Sequence, residues 1–114
     1  MFDLAGVGAV QAHPATGQFL RVNPKMCEIT GYSEEELLDM TIPQITHPDD
    51  RQEALEGFRR MACGEAPEHS TEERYVCKDG RVVWVTVNVR VVRDEAGEPL
   101  RTVAVIQDTK AQAS

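Results

Sequence analysis

Aromatic side chains are scarce in this chain. One Trp, two Tyr and three Phe make up 5% of 114 residues, so a pocket walled mainly by rings is not available to it. Basic residues are outnumbered: 12 Lys and Arg stand against 19 Asp and Glu, for a net charge of -7 and a pI near 4.9. That balance argues against a nucleic-acid face, because a phosphate backbone is held by clustered cations. Cysteine is sparse and odd in number, at Cys27, Cys63 and Cys77. The odd count and wide spacing argue against a disulfide framework and fit a reducing compartment. No apolar run approaches the ~20 residues that span a bilayer, and no basic segment precedes an apolar stretch. The expectation is a soluble, cytoplasmic chain without membrane insertion. A metal site is not indicated either, since His13, His47, His69 and the three cysteines fall in neither C-x-x-C nor H-x-x-x-H spacing.

What is present is the composition of a globular fold, with 41% apolar and 27% charged residues. The chain is long enough for one domain with a modest core. Val7 to His13 and Gln18 to Val22 are two short apolar segments around the turn His13-Pro14-Ala15-Thr16-Gly17, a predicted hairpin. Asn23-Pro24 then opens a short helix with an N-cap and a preorganised first residue, and Gly31 suits its stop. Ser33 and Glu36 have capping-box spacing, with Tyr32 and Leu37 placed as a hydrophobic staple. Pro43 leaves room for one short turn at Gln44-Ile45. The longest helix runs from His47-Pro48-Asp49-Asp50 to Gly64, with Ala54, Leu55, Phe58, Met61 and Ala62 as its apolar stripe. Strand signals follow over Thr71–Lys78, Arg81–Arg93 and Leu100–Asp108, joined by Gly turns.

The fourth strand alternates without a break. Val83, Val85, Val87, Val89 and Val91 form one apolar face, while Trp84, Thr86, Asn88, Arg90 and Val92 form the other. A sheet with one apolar face needs a cover, and the helices of residues 23 to 64 are the candidates. Met26, Ile29, Leu37, Leu38, Leu55, Phe58 and Met61 are expected to close over the valines. The fold class is α+β.

The order of elements and several local words resemble the PAS sensor domain family. "GQFLRVNPKMCEITGYSEEELLDMTIPQITHPDDR" looks like the family's N-terminal half, and "RYVCKDGRVVWVTVNVRVVRDEAGEPLRTVAVIQDT" like its C-terminal, PAC-like half. The likeness runs from about Phe2 to Thr109, a core of about 2–109 in one domain of 1–114. It implies a five-stranded antiparallel sheet in the order 2-1-5-4-3 with helices on one face. It further implies a non-enzymatic sensor or dimerisation module of a larger bacterial signalling protein, such as a histidine kinase or a cyclic-di-nucleotide enzyme, with an output domain elsewhere. One departure concerns the end of the chain: the family's Asp-x-Thr is matched at Asp108, but Thr109 follows directly and Lys110 takes the usual Thr place.

The candidate sites follow from these readings. A small apolar ligand held without a covalent bond between helices and sheet would touch Met26, Ile29, Tyr32, Phe58, Met61, Tyr75, Val85, Val87 and Val89. The alternative is a core filled by its own side chains, making a ligand-free dimerisation module. Which cofactor, if any, is bound is unknown. Haem in the resembled family hangs from a histidine on or near the long helix, and 49–64 holds none. Light-sensing flavin members carry a cysteine word on the short helix, and Met40 to Ile45 has no cysteine, so covalent flavin chemistry is rejected. His47 with Asp49 and Asp50 reads as a helix start rather than an acid–base pair. Trp84, Thr86, Asn88 and Val92 would form an outer-face interaction surface for a second copy, unless Phe2 and Leu4 fold back over Trp84; the expected homodimer forms through this face or through the N-terminus. Cys27 and Cys63 are expected as small buried hydrophobes, and Cys77 as the accessible thiol.

Overall fold

The computed structural model describes residues 6–65 and 68–108. Strands β1 (Gly8–Ala12) and β2 (Phe19–Val22) form the hairpin. Helices α1 (Pro24–Thr30), α2 (Glu34–Leu38), α3 (Ile42–Ile45) and α4 (Pro48–Ala62) follow. Strands β3 (Glu68–Val76), β4 (Val82–Arg93) and β5 (Pro99–Asp108) complete one antiparallel sheet in the order β2-β1-β5-β4-β3.

The short helices start where the local chemistry places them. Asn23 Oδ1 accepts from the N–H groups of Met26, at 3.0 Å, and Ala9, at 2.9 Å, while its Nδ2 donates to the Val7 carbonyl. One buried amide thereby caps α1 and ties it to β1. Gly31 ends α1 at φ 80°, a left-handed turn that favours glycine. The Ser33–Glu36 capping box is formed in both directions. His47 caps α4 through Nδ1, which accepts from the Asp49 N–H at 3.1 Å, as the helix-start reading requires.

Backbone hydrogen bonds moor the helical segment to the sheet at its ends. Lys78 N–H donates to Thr30 O, Ile42 N–H to Gly17 O, and His47 N–H to Arg74 O. Between these points the core gathers Val10, Phe19, Val22, Met26, Ile29, Leu37, Ile45, Tyr75, Val85, Val87, Ala104 and Ile106. Burial of this set is the main favourable term for the fold.

Several expectations need correction. Leu55 is half exposed rather than part of the cover. The buried stripe of α4 is centred instead on Gly57 and Met61, with Ala54 and Phe58 partly covered, because α4 approaches β3 through its glycine. A Cβ at Gly57 would lie 2.3 to 2.7 Å from the His69 ring. The cysteine assignments also reverse. Cys77 is buried, its Sγ donating to Ile29 O at 3.3 Å, whereas Cys63 is exposed at the C-cap of α4 and Cys27 is only partly covered. Cys77 continues the inward parity of His69, Thr71, Glu73 and Tyr75, and Cys63 lies past the last packed turn. Phe2 and Leu4 lie outside the described residues, as do Thr109 and Lys110.

Candidate functional site

Two surfaces of the sheet are distinct in chemistry. On the inner side, Met26, Ile29, Met61, Tyr75, Val85 and Val87 are buried, and Tyr32, Phe58 and Val89 are partly so. Met26, Ile29, Tyr75, Val85 and Val87 share one cluster, with Tyr32 and Val89 packed against it. Phe58 stands apart: it lines a small apolar cleft of about 80 Å³ with Ile42, Pro43, Ala54, Leu55 and the β1–β2 turn. Leu55 is exposed because it forms the outer lip of this cleft. Arg51 sits at the rim, its Nε donating to Thr46 O at 3.0 Å. Burial holds the Tyr75 hydroxyl protonated far above its usual range.

On the outer side, β4 presents Trp84, which is 51% exposed, with Thr86 and Val92 partly covered and Asn88 exposed. Beside them a groove of about 550 Å³ crosses the sheet, lined by Ala9, Gln11, Asn88, Arg90, Val103 and Val105 among others. Trp84 stands directly across from Arg74 of β3, whose guanidinium carbon lies 5.1 Å from the indole centroid. This cation–π contact covers part of the ring that the alternation leaves on the solvent side.

Arg74 also reaches around the edge strand. Its Nε and one terminal nitrogen donate to the two oxygens of Asp50, at 3.1 and 2.9 Å, and its own N–H donates to Asp50 Oδ2 at 2.8 Å. These hydrogen bonds from Arg74 hold the Asp50 carboxyl below the usual range, and Asp50 in turn raises the guanidinium. One residue therefore touches the outer-face tryptophan and the first turn of α4.

The sequence reading missed two inward-facing groups on β3. Glu73 is only 5% exposed. Burial first, then the charges of Asp50 and Glu53, push its carboxyl up to about 7. His69 packs under Gly57 with a buried Nε2 that has no hydrogen-bond partner. The signal was present in the period-two run His69, Thr71, Glu73, Tyr75, whose last member reads as core. Its parity carries Glu73 and His69 to the same side. Among the described residues no group of three or more His, Cys, Asp or Glu is placed to hold a metal ion. No described helix is long and apolar enough to cross a membrane.

Comparison with known proteins decides the family. The sequence model of the PAS fold matches residues 19–106. This chain belongs to the PAS fold family. A probable diguanylate cyclase of Escherichia coli (strain K12), DgcE, is 39% identical over 92 residues, covering 81% of this chain and 8% of that protein. The sensor histidine kinase TmoS of Ectopseudomonas mendocina is 30% identical over 91 residues, covering 80% of this chain and 9% of the other. Among solved structures, the PAS domain of a protein from Colwellia psychrerythraea superposes with a TM-score of 0.84 at 18% identity, covering 94% of this chain and 89% of that one. The fold and strand order implied by the resemblance are thus those of the family. The PAS chain spans less than a tenth of the curated relatives it matches. Both relatives are, by name, signalling enzymes that carry a stretch similar to this chain.

Proposed function

We propose that this chain is the sensor module of a larger bacterial, cytoplasmic signalling protein, and that it binds a small apolar ligand non-covalently between helices and sheet. The observation that carries the reading is the match to short stretches of a diguanylate cyclase and a sensor histidine kinase. Such a module works by biasing an attached output domain, here a histidine kinase or a cyclic-di-nucleotide enzyme. That requires a ligand with different affinities for two packings of the module. The ligand would meet Met26, Ile29, Tyr32, Phe58, Met61, Tyr75, Val85, Val87 and Val89. The apolar cleft lined by Phe58 and Ile42 supports this, because Ile42 also packs against the core and the cleft offers room for a small apolar group there. The domain is taken as residues 1–114, with a core of about 2–109.

A carbon-13 methyl NMR titration with short-chain alcohols tests the ligand reading. Shift changes concentrated at Met26, Met61, Val85 and Val87 are expected. Changes confined to outer-face methyls such as Val103 and Val105, or none at millimolar ligand, would reject it.

The half-exposed Trp84 supports a second reading, in which the outer face with Trp84, Thr86, Asn88 and Val92 joins two copies. Sedimentation of Trp84→Ala against the parent chain tests it. An unchanged monomer–dimer equilibrium would remove the outer face as the interface.

A further inference from the structure

Helix α4 runs alongside β3 so that Asp50 meets Arg74 and Gly57 sits on His69, with Glu73 between them on β3. Glu73 is inside this seam. As a residue it is only 5% exposed; among the described residues no hydrogen bond or ion pair reaches its carboxylate, whose oxygens keep a narrow contact with solvent. The nearest cation, the Arg74 guanidinium, is committed to Asp50 rather than to Glu73. The charges of Asp50 and Glu53 on α4 also disfavour its ionised form, that of Asp50 being countered by Arg74. From β4 the cross-strand neighbour is Val85, and along its own strand the inward neighbours are Thr71 and Tyr75, with His69 beyond. Arg74 is adjacent in sequence, but its guanidinium is turned away onto Asp50 and Trp84. His47 uses Nδ1 to cap α4. A largely buried carboxylate without a partner favours its protonated form.

We propose that the α4–β3 seam is a proton-operated latch: α4 seats on the sheet while Glu73 is protonated and loosens when Glu73 ionises. Glu73 is the moving part, and the Arg74–Asp50 clamp is the hinge that keeps the first turn of α4 attached. Because α4 carries Phe58 and Met61, loosening uncovers the inner layer. Because the clamp also bears on Trp84, the outer face is mechanically next to the event. The latch stands whether or not the layer holds a ligand.

The sign follows from the direction of the shift. An acid whose proton affinity is raised on folding contributes its full stability below its unfolded value, near 4.5, and loses it as pH rises through about 7. Between pH 5 and pH 8 the open seam should therefore gain on the order of 70-fold in population relative to a chain without the carboxylate.

Hydrogen–deuterium exchange on the full chain measures this, with rates corrected for intrinsic chemistry. In the parent chain, protection of amides 54–61 should fall on the order of 70-fold from pH 5 to pH 8. In Glu73→Gln that fall should vanish. Glu73→Leu provides the same comparison should the glutamine variant fold poorly, because the readout is the pH dependence and not the absolute protection. Equal pH dependence in the parent and the substituted chains would overturn the proposal. So would a carboxyl NMR titration that places the Glu73 midpoint below 5.

Discussion

Replacing Gly57 by alanine should lower the stability of this chain, although the same change in an exposed helix interior would raise it. Alanine gains about 1 kcal/mol over glycine by helix propensity. Here the new methyl would lie 2.3 Å from His69 Cε1, 2.4 Å from Nε2 and 2.7 Å from Nδ1, so the ring or the helix must shift. Overpacking of that kind costs about 1 to 3 kcal/mol. The net expectation is a loss of about 1 kcal/mol, or a fall in Tm of roughly 4 to 8 °C for a domain near this size. With His69→Ala in the background, the contact is gone and the propensity term remains. Gly57→Ala should then stabilise by about 1 kcal/mol. Urea unfolding followed by the fluorescence of Trp84 reads all four chains of the cycle. A stabilising Gly57→Ala in the parent chain, or the same sign in both backgrounds, would refute the close approach of α4 to β3.

Asn23→Ala removes an N-cap and strands the buried Ala9 N–H, so a loss of about 3 kcal/mol is expected in the same urea assay. Asp50 is held below the usual carboxyl range, so its contribution is present above the unfolded value, near 3.8, and is lost as pH falls through the folded value. Asp50→Asn should accordingly flatten the acid limb of the stability curve below about pH 4, and an unaltered limb would count against the clamp. Thiol labelling of the native chain should modify Cys63 first and Cys77 last, checked by peptide mapping, because Cys77 is buried against α1.

Much of the scaffold was legible where the chemistry is local. Asn23-Pro24, the Ser33–Glu36 pair and the start at His47-Pro48 each announce a helix terminus through groups only a few residues apart. The valine alternation sorted the two faces of β4 correctly, with Val85 inside and Trp84 outside. Strand order is a different matter. No residue pattern in β1 says that β5 lies beside it, and the order came from the family resemblance. The rotational phase of α4 was also hidden, since an apolar stripe is wide enough to accept Leu55 or to leave it at the rim. The contact of Gly57 with His69 decides between them. Cys77 was legible in principle, because parity from Tyr75 turns it inward. Arg74 was not: a side chain that stacks on Trp84 and also grips Asp50 around a sheet edge depends on the meeting of two elements far apart in sequence.

The same limit applies to the candidate site. Period two and helical spacing name side chains that share a layer, and Met26, Ile29, Tyr75, Val85 and Val87 do meet there. They do not tell whether the layer closes fully or admits a guest. Cavity volume depends on the sum of many small offsets between α4 and the sheet, and no local pattern encodes that sum.

The most direct measurement of the sensor reading is a native mass spectrum of the purified 114-residue chain, recorded at several protein concentrations. A monomer carrying extra mass that acid denaturation releases is expected, since the ligand is held without a covalent bond. A bare monomer mass at every concentration, unshifted after incubation with small apolar molecules, would contradict it.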